Sequence, residues 1–477
     1  MITLSHIEEC IYMYIFSMVR SGVATVIDKC NKHIPLSRLA IMPETKWTQI
    51  EEILKGQHTG TTIHLRGWIY RTRSSGNIIF MILRDVTGVL QATVKKGNLP
   101  DAGFEDAFKA LIESSVQITG TVKEDKRAPG GYELQVTGLT VVNFAEPFPI
   151  TKDQSPEFLL DKRHLWIRSR KLTSVLKVRS TVVGAIHAFF REKGFYEFDA
   201  PVLQPSQCEG GSTLFEVKYY EDKTYLSQSW QLYAEAGIFA LEKIYNMGPT
   251  FRAERSKTSR HLSEFWMAEM EAAWMDLSDV VAMAKDEVQY ILGEVLQKNK
   301  NDLQFLGQDI KKLQEITGSE FPTITYTDSL EILKEKEGMN IEWGKDLRTI
   351  EEDRLMNHFK TPVVVTNYPL EIMAFYKPKD EKDPRTALCF DMLAPEGYGE
   401  IVGGSQRSND ITTMIHRLKQ MGENVQNYEW YFDLRRFGSV PHSGYGLGVE
   451  RLVAWICKAD NIKDTIPFPR TLLRFRP

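Results

Sequence analysis

At 477 residues the chain is too long for one hydrophobic core, and two or three domains are expected. A hydrophobic content of 42%, a charged content of 26% and a net charge of -4 describe an ordinary globular protein and exclude nucleic-acid binding by overall basicity; such a ligand needs local basic patches. Cys10, Cys30, Cys208, Cys389 and Cys457 are scattered without a CxxC pair, which argues against a disulfide framework or a zinc knuckle and fits a reducing, cytoplasmic setting.

Residues 1–45 read as an appendage. Their apolar stretch, Ile11 to Val26, is interrupted by Ser17 and Arg20 and is too short and broken for a membrane span. It has neither a basic leader nor a clear cleavage site, so no membrane partner is expected.

From Thr62 the pattern turns period-2: TIHLRGWIYR, NIIFMILRD, a turn at Thr87-Gly88, VLQATVKK, a helical run near residues 104–112, SVQITGTVKED and YELQVTGLTVVNF. Five short strands with a helix before the fourth are the order of an OB-fold barrel, expected over residues 46–146. Such barrels often bind single strands by stacking bases on aromatic rings. Phe80 and Gln91 fall on neighbouring strands, one to stack and one to read a base edge, flanked by Arg66, Arg71 and Arg84; an aromatic in a strand equally serves a core. Pro147, Pro149 and Pro156 amid mixed charge mark residues 147–170 as a hinge.

Residues 171–477 begin with an amphipathic helical run from about Val175 to Lys193, followed by GFYEFDAPVL, which contains Pro201. The stretch FRAERSKTSRHLSEFWMAEMEAAW, residues 251–274, reads as two antiparallel strands joined by a polar loop, with Arg252 and Glu254 on one face. Arg252 suits a reacting phosphate, Glu254 an amino group and Phe265 a stacked base; a surface hairpin laced with ion pairs fits the same residues. Residues 277–335 form a charged, helical insertion, read as a solvated packing element. In GYGLGVERLVAW, residues 444–455, Gly444, Gly446 and Gly448 would leave one strand face bare for a flat ring. Arg451 follows with five donors suited to a terminal phosphate, a combination that suggests ATP; glycines in strands also mark bulges and barrel corners.

The two motifs together resemble motifs 2 and 3 of the class II aminoacyl-tRNA synthetases, and the helix-strand unit ending at Pro201 resembles motif 1, which lies at that family's dimer interface. The resemblance covers about residue 45 to Pro477, and Met42 begins a stretch like the family's usual N-terminus. It implies an α+β chain: a five-stranded OB-fold barrel, then a class II synthetase domain built on an antiparallel β-sheet flanked by helices. It also implies a homodimer and a reaction that adenylates an amino acid with ATP and Mg2+ before transfer to tRNA.

Residue by residue, the resemblance assigns catalysis to Arg252, Glu254, His261 and Arg451, and ATP binding to these four with Phe265, Glu400 and Gly448. Asp391 and Glu400, in FDMLAPEGYGEIVGGSQR, match the metal positions, although their spacing exceeds that of the aspartyl branch. Glu209, Gln231 and Arg407 match amino-acid-binding positions, and Phe80 and Gln91, with Arg71 beside them, match those of the middle anticodon base. The aspartyl branch has a lysine three residues after the glutamine; here Ala234 stands there, followed by Glu235, which would accept from an amide and repel a carboxylate. With Ser439-Val440-Pro441-His442 in place of two prolines before the histidine, the likeness is to the archaeal-type asparaginyl-tRNA synthetases. An aspartate-charging enzyme, an asparagine-forming paralogue and a tRNA-binding protein with a decayed synthetase body are the alternatives.

Overall fold

The computed structural model describes residues 46–477 apart from 206, 209–213 and 257, so the appendage at 1–45 lies outside the described residues. The chain divides into two compact units, the first ending at Thr151 and the second running from Lys152 to Pro477. The hinge expected over 147–170 contains this division, and a helix begins inside it at Pro156.

In the first unit a short helix α1 (Ile50–Leu54) precedes strands β1 (Thr62–Ser75), β2 (Ile78–Arg84) and β3 (Val89–Lys95), helix α2 (Asp101–Lys109), and strands β4 (Ser115–Glu124) and β5 (Tyr132–Asn143). They close a barrel in the order β1-β2-β3-β5-β4. The alternation read in the sequence is the alternation of burial: Ile63, Leu65 and Ile69 point inward while His64, Arg66 and Trp68 point out. The inward set joins Met81, Leu83, Leu90, Ile118 and Leu134 in one core. A register shift between Ile69 and Arg71 re-aims the end of β1. Asp85 and Thr87 accept from the amides of Ile50 and Glu51 at 2.9 and 3.0 Å, satisfying donors at the start of α1 that have no partner within the helix.

The second unit is built on an eight-stranded sheet. Its members are β6 (Tyr196–Glu197), β10 (Lys243–Phe251), β11 (Glu264–Ala273), β12 (Thr323–Thr325), β13 (Val363–Thr366), β14 (Cys389–Ala394), β15 (Gly399–Gln406) and β16 (His442–Gly448). The spatial order is β12-β13-β14-β15-β16-β11-β10-β6, antiparallel throughout its centre. A small sheet of β7 (Leu203–Gln204), β8 (Glu216–Tyr219) and β9 (Asp222–Leu226) stands apart from it in pairing. Helices α3 (Arg170–Glu192), α4 (Gln231–Leu241), α5 (Leu277–Lys298), α6 (Glu429–Arg436) and α7 (Val449–Ile456) provide the main supports.

One expectation is corrected here. Residues 277–335 are not a solvated element, because α5 buries Val280, Ala284, Val288, Ile291, Leu292 and Val295 in the principal core with Val178 and Val182 of α3 and Leu447 of β16. The charged residues mask an apolar stripe at helical spacing. Glu287 lies on that stripe, fully buried, and accepts from the Tyr445 hydroxyl at 2.6 Å; its Oε1 has no partner among the described residues.

Register across the sheet decides what shares a face. Asp391 pairs with Gly403, Gly403 with Gly446, and Gly446 with Glu269. The next such row is Cys389, Ser405, Gly444 and Glu271. Paired residues project to the same side, so the first row sets carboxylates at its ends and two bare glycines between them. The opposite face, with Tyr445 and Leu447, belongs to the core.

Candidate active site

Over this face lie two cavities that share Arg252, Met267, Glu400 and Gly446. The first is walled by Arg252, Glu254, His261, Phe265, Glu400, Gly448 and Arg451. The seven residues to which the resemblance assigns ATP therefore line one cleft. Arg252 and Glu254 lie just beyond the end of β10, in the loop, and not within the strand. The Arg252 guanidinium sits 5.5 Å from the Phe265 ring, and its Nε is buried without an acceptor among the described residues. Arg451, in the first turn of α7, donates to the Glu400 backbone oxygen at 2.8 Å and to its carboxylate at 3.1 Å. His261 Nε2 is 3.5 Å from Glu254, and burial together with the Arg451 and Arg252 charges holds the imidazole below its usual range.

The glycine row behaves differently from the sequence expectation. A Cβ at Gly444 would strike the Met270 carbonyl and the Glu271 carboxylate, and one at Gly446 would strike the end of Met267. Gly444 lines neither cavity and admits protein atoms; Gly446 and Gly448 are the ones that face the cleft. A strand pattern cannot tell a floor left bare for a ligand from one left bare for a neighbouring carboxylate.

The second cavity is lined by Gln231, Glu269, Glu271, Lys377, Asp391, Glu400 and Arg407 among others. Burial and the Glu400 charge push Asp391 well above the usual carboxylate range, and burial with the same charge pushes Glu352 up to about 7. Burial opposes ionisation of Glu400 as well, yet Arg451 and Arg252 hold it low. A Cβ at Gly403 would lie 2.9 Å from a Glu400 oxygen and 3.3 Å from an Asp391 oxygen, so both carboxylates lean over one bare glycine. Paired oxygens of this kind, beside a cleft lined by arginines, fit a hard divalent cation.

Glu235 is placed differently from expectation. It is wholly buried and does not line the cavity. Its carboxylate accepts from the Tyr431 hydroxyl at 2.8 Å, from Gln231 at 3.0 Å and from Arg435, and stands 3.0 Å from His442 Nε2. Of the two acids beside Arg407, the one that lines the cavity is Glu271, gripped by Arg407 Nε at 3.0 Å and Nη2 at 2.8 Å. Sequence reasoning passed over Glu269 and Glu271 because β11 reads as a plain alternating strand; two glutamates on its inward period, opposite glycines, are the signal. Glu209 lies outside the described residues.

On the barrel, Phe80 and Gln91 occupy adjacent strands one diagonal apart, since Phe80 pairs with Thr93 and Gln91 with Ile82. Phe80 is half-buried and carries the guanidinium of Arg73, not Arg71, at 4.7 Å; Arg71 lies 5.5 Å from Tyr70. Gln91 donates to Glu133 at 3.3 Å and Thr93 at 2.8 Å to the same oxygen, so β5 contributes an acidic residue to the face.

Residues 155–472 match the family described as tRNA synthetases class II (D, K and N), and residues 63–142 match the OB-fold nucleic acid binding domain. The chain is 47% identical over 418 residues to the asparagine–tRNA ligase of Thermococcus kodakarensis, covering 88% of this chain and 96% of that one. It is 46% identical over 436 residues to that of Thermus thermophilus, covering 90% and 99%. The asparaginyl-tRNA synthetase of Pyrococcus horikoshii, solved with asparaginyl-adenylate, superposes with a TM-score of 0.87 at 45% identity over 91% of this chain and all of that one. Family matches over both units, and identity at this level over about nine-tenths of the chain, place it in the class II aminoacyl-tRNA synthetases, among the asparaginyl-tRNA synthetases.

Proposed function

We propose that the protein ligates L-asparagine to tRNA through an asparaginyl-adenylate. The observation that carries this reading is the Arg407–Glu271 pair facing the second cavity: a guanidinium donor suits the side-chain carbonyl oxygen and a carboxylate suits the amide nitrogen, while an aspartate carboxylate meets the repulsion of Glu271. Gln231 and Glu269, lining the same cavity, are placed to receive the polar end of the amino acid.

The substrate α-carboxylate is ionised at neutral pH and attacks the α-phosphorus; the bond to the bridging oxygen breaks and pyrophosphate leaves. Alignment and charge neutralisation therefore replace a general base. Arg252, with its buried free Nε, neutralises the α-phosphate, Arg451 neutralises the far end of the chain of phosphates, where the uncharged His261 ring serves as a hydrogen-bond donor, and Phe265 stacks on the adenine. Asp391 and Glu400 would hold Mg2+, which when bound supplies further neutralisation of the phosphates. The terminal ribose hydroxyl of tRNA then attacks the activated carbonyl and AMP departs.

The test is ATP–pyrophosphate exchange with one amino acid at a time. Exchange driven by asparagine and not by aspartate is the expected result. The reverse assigns an aspartate-charging or asparagine-forming enzyme, and silence with both assigns a tRNA-binding protein.

The barrel is assigned to the anticodon, with Phe80 as stacking platform and Gln91, Arg71 and Arg73 around it. Phe80→Ala is expected to lower tRNA charging about 100-fold while pyrophosphate exchange stays near wild type, since loss of a stacked base costs roughly 1–3 kcal/mol. Equal damage to both reactions would mark Phe80 as a core residue.

A homodimer is proposed through β6, the two-residue edge of the large sheet. Tyr196 of β6 is 60% exposed, and Leu203, on the segment that follows with Pro201, is 41% exposed; an open edge with exposed apolar residues suits a second copy. No helix among the described residues is long and apolar enough to cross a membrane. Cys389 and Cys457 are buried free thiols, which suits the reducing cytoplasm proposed for the chain.

A further inference from the structure

Behind the Arg407–Glu271 pair lies a second layer of charge that never reaches the cavity. Glu235, from the first turns of α4, is enclosed by Tyr431 and Arg435 of α6 and by His442 at the start of β16. Arg435 is buried too; its Nε donates to the Ser408 carbonyl at 3.0 Å, its Nη2 serves both Glu235 and the Tyr431 hydroxyl, and its Cζ stacks 4.2 Å from the Tyr431 ring. Glu235, Glu271 and His442 bring possible ligand atoms within 4.8 Å of one another, but Arg407 and Arg435 already supply the countercharge that a metal ion would bring.

Arg407 stands between two carboxylates. Glu271, on the cavity side, is 2.8 Å away, whereas Glu235, behind it, is 4.0 Å away. Only the nearer one can present an oxygen to a ligand. Which carboxylate Arg407 serves depends on whether Glu235 is neutralised by something else, and Arg435 is the guanidinium in contact with it.

We infer that Arg435 is a specificity-determining positioning residue: by holding Glu235 as a paired carboxylate behind the cavity, it leaves Arg407 with Glu271 at the cavity face, in the donor-and-acceptor arrangement that a side-chain amide matches. This rests on the asparagine reading above. Without Arg435, the buried Glu235 draws Arg407 backward and Glu271 loses its partner. The amide then meets a carboxylate alone, and its carbonyl oxygen has no donor.

The test compares Arg435→Met, Glu235→Gln and the double variant in pyrophosphate exchange, titrating asparagine and ATP separately. For Arg435→Met, KM for asparagine is expected to rise about 100-fold, with KM for ATP within about 3-fold of wild type, as an unpaired buried charge disturbs one subsite only. In the double variant no charge is left to attract Arg407, and KM for asparagine is expected to recover to within about 10-fold of wild type. A loss of packing would not be rescued by changing Glu235. An asparagine KM in Arg435→Met within about 3-fold of wild type, or a double variant as impaired as the single, overturns the inference. Should Arg435→Met not fold, Glu235→Gln alone decides: it strands the Arg435 charge, so it is expected to be worse than the double variant, and parity overturns the inference. Wild-type exchange with asparagine tests the underlying reading independently, since the variant ratios are taken with whichever amino acid drives exchange.

Discussion

Arg451→Ala is expected to lower asparagine-dependent pyrophosphate exchange by about 1,000-fold, the scale on which removal of a phosphate-binding guanidinium acts. The side chain projects from the first turn of α7 into the cleft, where it is 28% exposed and donates to Glu400. Removing it frees Glu400 from its strongest neutralising neighbour, so the cleft loses a positive charge and keeps a half-buried negative one. The urea midpoint is expected to stay close to wild type, because the apolar face of α7, with Leu452, Val453 and Ile456, remains packed. Arg451→Lys should fall between the two, keeping charge but losing the fork. An exchange rate for Arg451→Ala within about 10-fold of wild type would remove Arg451 from the phosphate site.

The second large effect concerns stability. Burial raises the Glu287 carboxyl to about 8, against which the bond from Tyr445 acts only partly. The folded value lies above the unfolded one, so the stability associated with the neutral acid is fully present below about pH 4.5 and is lost as pH rises through about 8. Between pH 5 and 8 the wild type should lose about 3 kcal/mol from this group alone, at 1.36 kcal/mol per unit. Glu287→Gln keeps an acceptor for Tyr445 and cannot ionise. The variant is expected to be more stable than wild type at pH 8, with the difference shrinking towards pH 5, as measured by urea unfolding at each pH. A constant difference across that range would show that Glu287 does not change its charge on folding. Because Tyr445 stands between Gly444 and Gly446, the same bond ties the core to the strand that floors the active site.

The barrel and the central hairpin were legible because their signals are local. Ile63, Leu65 and Ile69 alternate with polar residues, and that period alone puts them inside. Arg252, Glu254, His261, Phe265 and Arg451 were legible as a set because each sits on or just beyond a recognisable strand or turn, and all reach one cleft. The helix at 277–298 was misread because its charged face dominates the composition, while the buried face appears only at a spacing of three and four. Glu235 was misplaced because its position on α4 says nothing of what covers it: Tyr431, Arg435 and His442 arrive from some 200 residues further along the chain.

Sequence alone determined the barrel, the antiparallel hairpin, the glycine strand with its following arginine, and the membership these motifs imply, since period, turn chemistry and motif spacing are properties of contiguous residues. Only the tertiary structure decided which of the two acids beside Arg407 lines the second cavity. Glu271 and Glu235 are both buried acids near Arg407, and what separates them is cross-strand register, which puts Glu271 over Gly444, and the packing of α6, which closes Arg435 onto Glu235. Charge pairing over a few ångströms in a buried site depends on distances that the order of residues does not contain.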